Sequence, residues 1–344
     1  MATVMDIENP TDLLTYLRQQ GRIDNTETPQ CQTLSGGVSN RTVRVDRENG
    51  EAWVIKQALE KLRVPVDWFS SPLRIHREAE GLRWLNKLAP QQSVPEFVFE
   101  DHEHHLLAMQ AIPDPHENWK VALLDGRLDL TQVRQFGHLL GQIQRQAEQQ
   151  KDTIAAAFAD RTFFESLRLE PYYGYTASQV PQATRFLNQL INETRACRFT
   201  LVHGDYSPKN TLVYQNRLIL LDYEVIHFGD PAFDLGFSLT HFLSKAHHLP
   251  HLRAEFMQAS QIYWEAYRAT LGNISWADDL EEKAVHHTLA CLLARVAGRS
   301  PLEYLSQEAR QRQQQAVLTL MSRTPATVSS LVEQFVTLIE TDSS

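Results

Sequence analysis

Two short runs in the second half of the chain hold the residue types that chemistry on a phosphate ester needs. In LVHGDYSPKN, residues 201–210, an apolar strand feeds a loop carrying Asp205 and, five residues on, Asn210. Twelve residues after Asn210 the apolar run RLILL ends at Asp222, with Glu224 two positions further. A carboxylate at the open end of a buried strand, next to an amide oxygen, suits Mg²⁺, because hard cations take oxygen ligands. Glu224 shares the face of Asp222 if the strand continues, and there it would touch a second metal or its waters. Asp205 is then placed to accept or orient the proton of an attacking hydroxyl. An isolated Asp-x₄-Asn is an ordinary turn; the ordered set of acids and amide points to phosphoryl transfer.

Such a transfer also needs the donor phosphates held, and the chain has no Walker loop to do it. Lys56 lies in AWVIKQA, an apolar strand with Val54 and Ala58 on its own face. An inward lysine there requires an anionic partner. On the helix expected over Ser71–Leu88, Ile75, Glu78, Leu82 and Leu85 fall within about 80° at 100° per residue, whereas Glu80 points away. A Lys56–Glu78 ion pair would account for both buried charges; a solvated lysine and a marginal acid are the alternative. Ahead of Lys56, the loop Leu34–Asn40 brings Gly36, Gly37, Ser39 and Asn40 before a strand, where backbone N–H groups could approach phosphate. A glycine pair in that position also makes a plain tight turn.

The elements that must position these groups follow from periodicity. TDLLTYLRQQ, closed by Gly21, is expected as a short amphipathic helix within an N-terminal segment 1–25. Residues 26–112 are strand-rich, with hairpins across Glu48–Gly50 and across DHEH, and with one helix opened by Ser71 and Pro72. Met109 stands where the second hairpin runs into a connector to Asn118. Residues 113–344 are mainly helical, interrupted by FTLVHGD and the hairpin TLVYQNRLILLDYE. The expected fold is α/β of the α+β kind, a small antiparallel sheet lobe with one helix followed by a larger helical lobe.

Composition narrows the class of partner. A net charge of −9 opposes a binder of nucleic-acid backbones. Cys31, Cys197 and Cys291 are odd in number and widely spaced, so no disulfide framework or zinc site is expected. MATVMDIENP lacks the apolar run of a secretory signal, and no stretch reaches a membrane span, so a cytoplasmic protein is expected. His102, His104 and His105 read as a solvated turn, and hydrolase or zinc-protease motifs do not occur.

At HGDYSPKN and LDYE the chain resembles the aminoglycoside phosphotransferase and choline-kinase superfamily, which has a protein-kinase-like fold. The continuation FGDPAFDLGF is similar to that superfamily's segment after the metal strand. VIKQALEKLRV, REAEGLRWL, LLAM and NWKVALLDG are similar to methylthioribose kinase. The resemblance implies a two-lobed fold with ATP between the lobes, Asp205 as base or orienter, and Asn210 and Asp222 on Mg²⁺. Lys56 would meet the α- and β-phosphates, with Glu78, the Gly36–Asn40 loop and Met109 on the nucleotide side. His203 and Asp234 would brace the catalytic loop, and Arg295, Arg299 and Asp230 would lie toward the substrate. Methylthioribose kinases carry Ser where this chain has Asn210, and an adjacent arginine pair where it has Arg295 and Arg299 four apart. The function implied is ATP- and Mg²⁺-dependent phosphorylation of a small-molecule alcohol, methylthioribose being one example. A nucleotide sensor without turnover and an enzyme transferring AMP to protein are the alternatives. Neither a nucleic acid nor a membrane is expected as partner, and oligomeric state is open.

Overall fold

The computed structural model describes residues 5–34, 37–63 and 67–341. They cluster into two units: the first holds the described residues up to Lys87 with Val94–His116 and Asp222–Glu224; the second holds the remainder.

In the first unit five antiparallel strands form a sheet of order β1-β2-β3-β5-β4. They are β1 (Gln30–Thr33), β2 (Asn40–Asp46), β3 (Ala52–Ala58), β4 (Phe97–Asp101) and β5 (Leu106–Gln110). Helix α1 (Pro10–Gln19) starts where the Asn9 side chain accepts from Thr11 N, with proline in the first turn. Its buried Leu13, Tyr16 and Leu17 pack with Val43, Val45, Trp53, Ile55, Phe99, Leu106 and Ala108. Side chains alternate across a strand, so this core claims one face of the sheet. Thr42, Lys56, Leu107 and Glu100 lie in one row across β2, β3, β5 and β4 and point to the other. Helix α2 (Arg74–Leu88) covers that second face with buried Ile75, Ala79, Leu82 and Leu85.

Helix α2 begins three residues later than Ser71. Ser71 Oγ accepts from Leu73 N and Ser71 O from Arg74 N, so Ser71-Pro72-Leu73 is spent as a turn ahead of the helix. The histidines of the β4–β5 turn are also more than a solvated loop. Glu100 bonds His76 Nδ1 at 2.6 Å and His102 Nε2 at 3.1 Å and pairs with Arg83, while His76 Nε2 meets His105 Nδ1 at 3.0 Å. Sequence could not foresee this, because His76 and Arg83 come from α2. The network ties α2 to the sheet edge and so orients the helix that carries Glu78.

The second unit opens with β6 (Glu117–Asn118), α3 (Trp119–Leu124), α4 (Leu130–Gln149), α5 (Lys151–Ala157) and α6 (Thr162–Phe164). A wide π-helical coil, Glu165–Gly174, then runs into α7 (Tyr175–Gln179) and α8 (Thr184–Ala196). Short strands β7 (Thr200–Val202), β8 (Thr211–Tyr214), β9 (Arg217–Leu220) and β10 (His227–Gly229) form the ladders β10-β7 and β6-β8-β9. The chain closes with α9 (Pro231–His248), α10 (Arg253–Leu271), α11 (Leu280–Ala297), α12 (Gln307–Ser322) and α13 (Val328–Thr341). A Cβ on Gly137 of α4 would stand 2.5 Å from Tyr263 O of α10, so only glycine permits that close approach. Among the described residues no helix is long and apolar enough to cross a membrane.

Candidate active site

In the first unit the row of side chains facing α2 brings Lys56 Nζ to 2.5 Å from Glu78 Oε1, the pair expected from the helix face. Glu78 is fully buried. Burial pushes its carboxyl up, Lys56 pulls it down, and Asp222 and Glu224 push it up again. The lysine stays a cation: burial works against its charge, but Glu78 and Asp222 outweigh that and hold its pKa above the usual lysine value. Asp222 Oδ1 lies 3.8 Å from Lys56 Nζ, beyond hydrogen-bond reach, and this buried oxygen has no hydrogen-bond partner. An orphaned carboxylate oxygen is costly unless a ligand completes it, and its chemistry fits a hard divalent cation. The residues present therefore fit Mg²⁺.

The strand does not carry on through Asp222. It ends at Leu220, and Asp222 has φ of 68°, a left-handed conformation that breaks any extended ladder. Glu224 thus does not share a strand face with Asp222, and its Oε2 accepts from Arg74 Nε at 3.1 Å. Arg74 is fully buried and also donates to Ser70 O, Ser71 O, Leu59 O and Ser39 O. One guanidinium so joins the start of α2, the end of the glycine loop and Glu224. Sequence reasoning missed Arg74, although the count that turns Glu78 inward does the same for a residue four earlier. Gly36 falls outside the described residues. Gly37 is exposed, Ser39 and Asn40 are buried, Asn40 donates to Ser39 Oγ at 3.3 Å, and Asn40 Oδ1 has no partner. Met109 is buried on β5 opposite Val54.

In the second unit β7 delivers the loop of Asp205. Gly204 has φ of 78°, and a Cβ there would sit 2.9 Å from Val225 Cγ2, so glycine is required on both counts. Asp234, in the first turn of α9, accepts from His203 N and Gly204 N, each at 2.8 Å. Burial pushes its carboxyl up to about 7 against these two bonds. His203 Nδ1 accepts from Asp205 N at 3.1 Å, which leaves Nε2 as the protonated nitrogen, donating to Leu221 O at 3.2 Å. Asn210 Nδ2 donates to Asp205 Oδ2 at 2.6 Å, so its remaining amide oxygen is the atom suited to a cation. Asn210 O accepts from Leu221 N, the residue before Asp222.

Asp205 has a further partner that the sequence did not reveal. Arg168 Nη2 lies 2.7 Å from Asp205 Oδ2, and Arg168 Nε donates to Gly204 O at 3.1 Å. Burial raises the Asp205 carboxyl, but Arg168 first, with Lys209 and the Asn210 bond, holds it below the usual carboxylate range. Arg168 sits in the π-helical coil around Pro171, where neither helical nor strand spacing predicts a side chain's direction.

The residues expected toward the substrate divide. Asp230 caps α9 through Ala232 N at 3.0 Å and faces His287 Nε2 at 3.4 Å, so both its oxygens are committed to support. It caps α9 and braces α11. Arg299 is exposed beside Glu170, whereas Arg295 donates to Tyr172 Oη at 3.2 Å and Ser300 Oγ at 2.9 Å.

The chain is similar to methylthioribose kinase of Pectobacterium atrosepticum, 23% identical over 317 residues that cover 82% of this chain and 79% of that one. It is similar too to methylthioribose kinase of Pectobacterium carotovorum, at 24% over 270 residues, 71% and 67% of the two chains. Among solved structures, an amicoumacin kinase in complex with AMP-PNP, Ca²⁺ and Ami superposes with a TM-score of 0.57. It is 15% identical, with 93% of this chain and 96% of that one covered. A choline/ethanolamine kinase family protein from Mesorhizobium loti gives 0.56 at 15% identity, covering 96% and 99%. These superpositions carry the fold, a protein-kinase-like one. The model of the phosphotransferase enzyme family matches residues 30–270, a span that takes in the sheet, the Asp205 loop and the helices behind it, and the chain belongs to that family.

Proposed function

We propose that this phosphotransferase moves the terminal phosphoryl group of ATP, with Mg²⁺, onto a hydroxyl of a sugar-like small molecule. The observation that carries the reading is the Asp205 carboxylate. It is buried, held ionised by Arg168, and engaged by both Arg168 and Asn210 through Oδ2, which leaves Oδ1 for an acceptor hydroxyl. Asp205 orients that hydroxyl and takes its proton as the oxygen bonds to the γ-phosphorus and the bond to the departing ADP oxygen breaks. Lys56, fixed by Glu78, meets the α- and β-phosphates of the donor. Asn210 and Asp222 would hold Mg²⁺, which when bound supplies charge neutralisation on the phosphates. Ser39, Asn40 and Met109 line the nucleotide side. The methylthioribose kinases among the relatives support a sugar-like acceptor.

The test is ADP release from Mg-ATP against a panel of small alcohols, with Asp205→Asn and Asp222→Ala as controls. Asp205→Asn is expected to bind Mg-ATP normally and to lose roughly 10²–10⁴ in kcat. Asp222→Ala is expected to lose metal-dependent nucleotide binding. An Asp205→Asn rate within a few-fold of the parent would remove that residue from the chemistry.

A further inference from the structure

A second set of charges in the same unit as Asp205 has no use in this chemistry. Lys245, on α9, is completely buried; its ammonium donates to His241 O at 3.3 Å and lies 5.7 Å from the Tyr304 ring. No carboxylate pairs with it among the described residues. A buried ammonium held by a carbonyl and an aromatic face is under-compensated. Arg295 on α11 and Lys120 on α3 lie near enough that both oppose its charge, and Glu303, which pairs with Lys120, is the acid that supports it. Burial, the largest cause, and these two cations pull the lysine down to about 7. Lys209 extends the patch toward the chemistry: its charge acts on His241 and on Asp205 alike, and its carbonyl accepts from Asn118 Nδ2 at 2.7 Å, at the start of the helix that carries Lys120.

Two polar atoms here are unmet, one a guanidinium donor and the other a hydroxyl that can donate. Arg295 Nε and Tyr304 Oη are buried without a hydrogen-bond partner, and both belong to this patch. Two such atoms, on α11 and on the segment between α11 and α12, beside an ammonium that no carboxylate pairs with, call for a ligand rich in acceptors and negatively charged.

We propose that Lys245, Arg295, Tyr304 and Lys120 recognise an anionic group on the acceptor, a carboxylate or a phosphate ester, so that the hydroxyl phosphorylated belongs to an acid-bearing sugar or polyol. The proposal rests on the small-molecule kinase reading given above. It separates the acceptor from methylthioribose, which bears no charge.

The experiment compares ADP release from Mg-ATP across matched triplets. They are glycerol, glycerate and glycerol 3-phosphate; ribose, ribonate and ribose 5-phosphate; and glucose, gluconate and glucose 6-phosphate, with methylthioribose alongside. At least one acid-bearing member is expected to exceed its neutral parent at least about tenfold in kcat/KM, and the triplet separates carboxylate from phosphate ester. Lys245→Met and Arg295→Met are expected to lose about tenfold or more of that kcat/KM while KM for Mg-ATP stays within about twofold. Tyr304→Phe, which removes only a hydroxyl, serves if Lys245→Met does not fold. A neutral alcohol as the best acceptor would overturn the proposal, as would a raised KM for Mg-ATP in the variants, which would assign the patch to the nucleotide. No turnover with any acid-bearing member, but clear thermal stabilisation by Mg-ATP, sinks this proposal alone. Absence of both ADP release and stabilisation sinks the kinase reading beneath it.

Discussion

Replacing Lys56 by Met leaves Glu78 buried among like charges. The glutamate is 0% exposed, and its neighbours besides Lys56 are Asp222 and Glu224. Replacing Glu78 by Gln is a smaller insult, because Lys56 keeps the Asp222 carboxylate at 3.8 Å. Breaking a buried pair by removing one partner costs about 3–5 kcal/mol, and the low end applies to Lys56→Met because the lysine side chain is 15% exposed. Glu78→Gln should cost roughly 1–2 kcal/mol, the worth of a charge-assisted hydrogen bond. The asymmetry also depends on pH. Without the lysine, burial and the two acids raise the Glu78 carboxyl further above its unfolded value, so the native state holds a proton that the unfolded chain has lost. Stability of Lys56→Met must then fall as pH rises from 5.5 to 8, by up to about 1.4 kcal/mol per unit. Hydrogen exchange of the β3 and α2 amides reads this locally, without assuming that both units unfold together. Equal costs for the two variants, or a Lys56→Met penalty that is flat between pH 5.5 and 8, would refute the argument.

Arg168→Met removes the cation that lowers Asp205, so the acid limb of kcat/KM should move to higher pH by about one unit, with kcat down roughly ten- to a hundredfold. An unmoved limb would reduce Arg168 to a packing residue. His227 is buried and donates from Nδ1 to Val225 O at 2.9 Å, and burial pushes it down to about 3. The native state therefore stays neutral where the unfolded chain binds a proton, and stability should drop below pH 6.5 by up to about 1.4 kcal/mol per unit. In His227→Gln that component of the slope should vanish from denaturation curves taken between pH 4.5 and 7. Leu17→Ala, in the core between α1 and the sheet, should destabilise the first unit by about 2–5 kcal/mol, read from exchange in β2 and β3. Little change would mean that α1 is not integral to that core.

The residues that one element can orient by itself were legible in the sequence. Helical spacing alone turns Glu78 inward, strand periodicity puts Lys56 on the face of Val54 and Ala58, and a five-residue loop fixes the distance along the chain from Asp205 to Asn210. The resemblance of FGDPAFDLGF to the superfamily's segment after the metal strand implied that Asp234 would brace the loop, and Asp234 accepts from His203 N and Gly204 N. What the sequence could not express was any partnership whose members come from distant elements. Arg74 meets Glu224 across 150 positions, Arg168 meets Asp205 from a π-helical coil of its own spacing, and His76 converts a histidine-rich turn into a network. The same holds for the end of β9, where one left-handed residue at Asp222 overrides an apolar run that otherwise reads as continuous strand. Lys245 is the sharpest case: from sequence it is a cation in the last turn of a helix, an ordinary place for one. Tertiary packing of α9 among α10, α11 and the Leu302–Leu305 segment buries it instead, because burial is a property of neighbours brought together in space and has no signature along one helix.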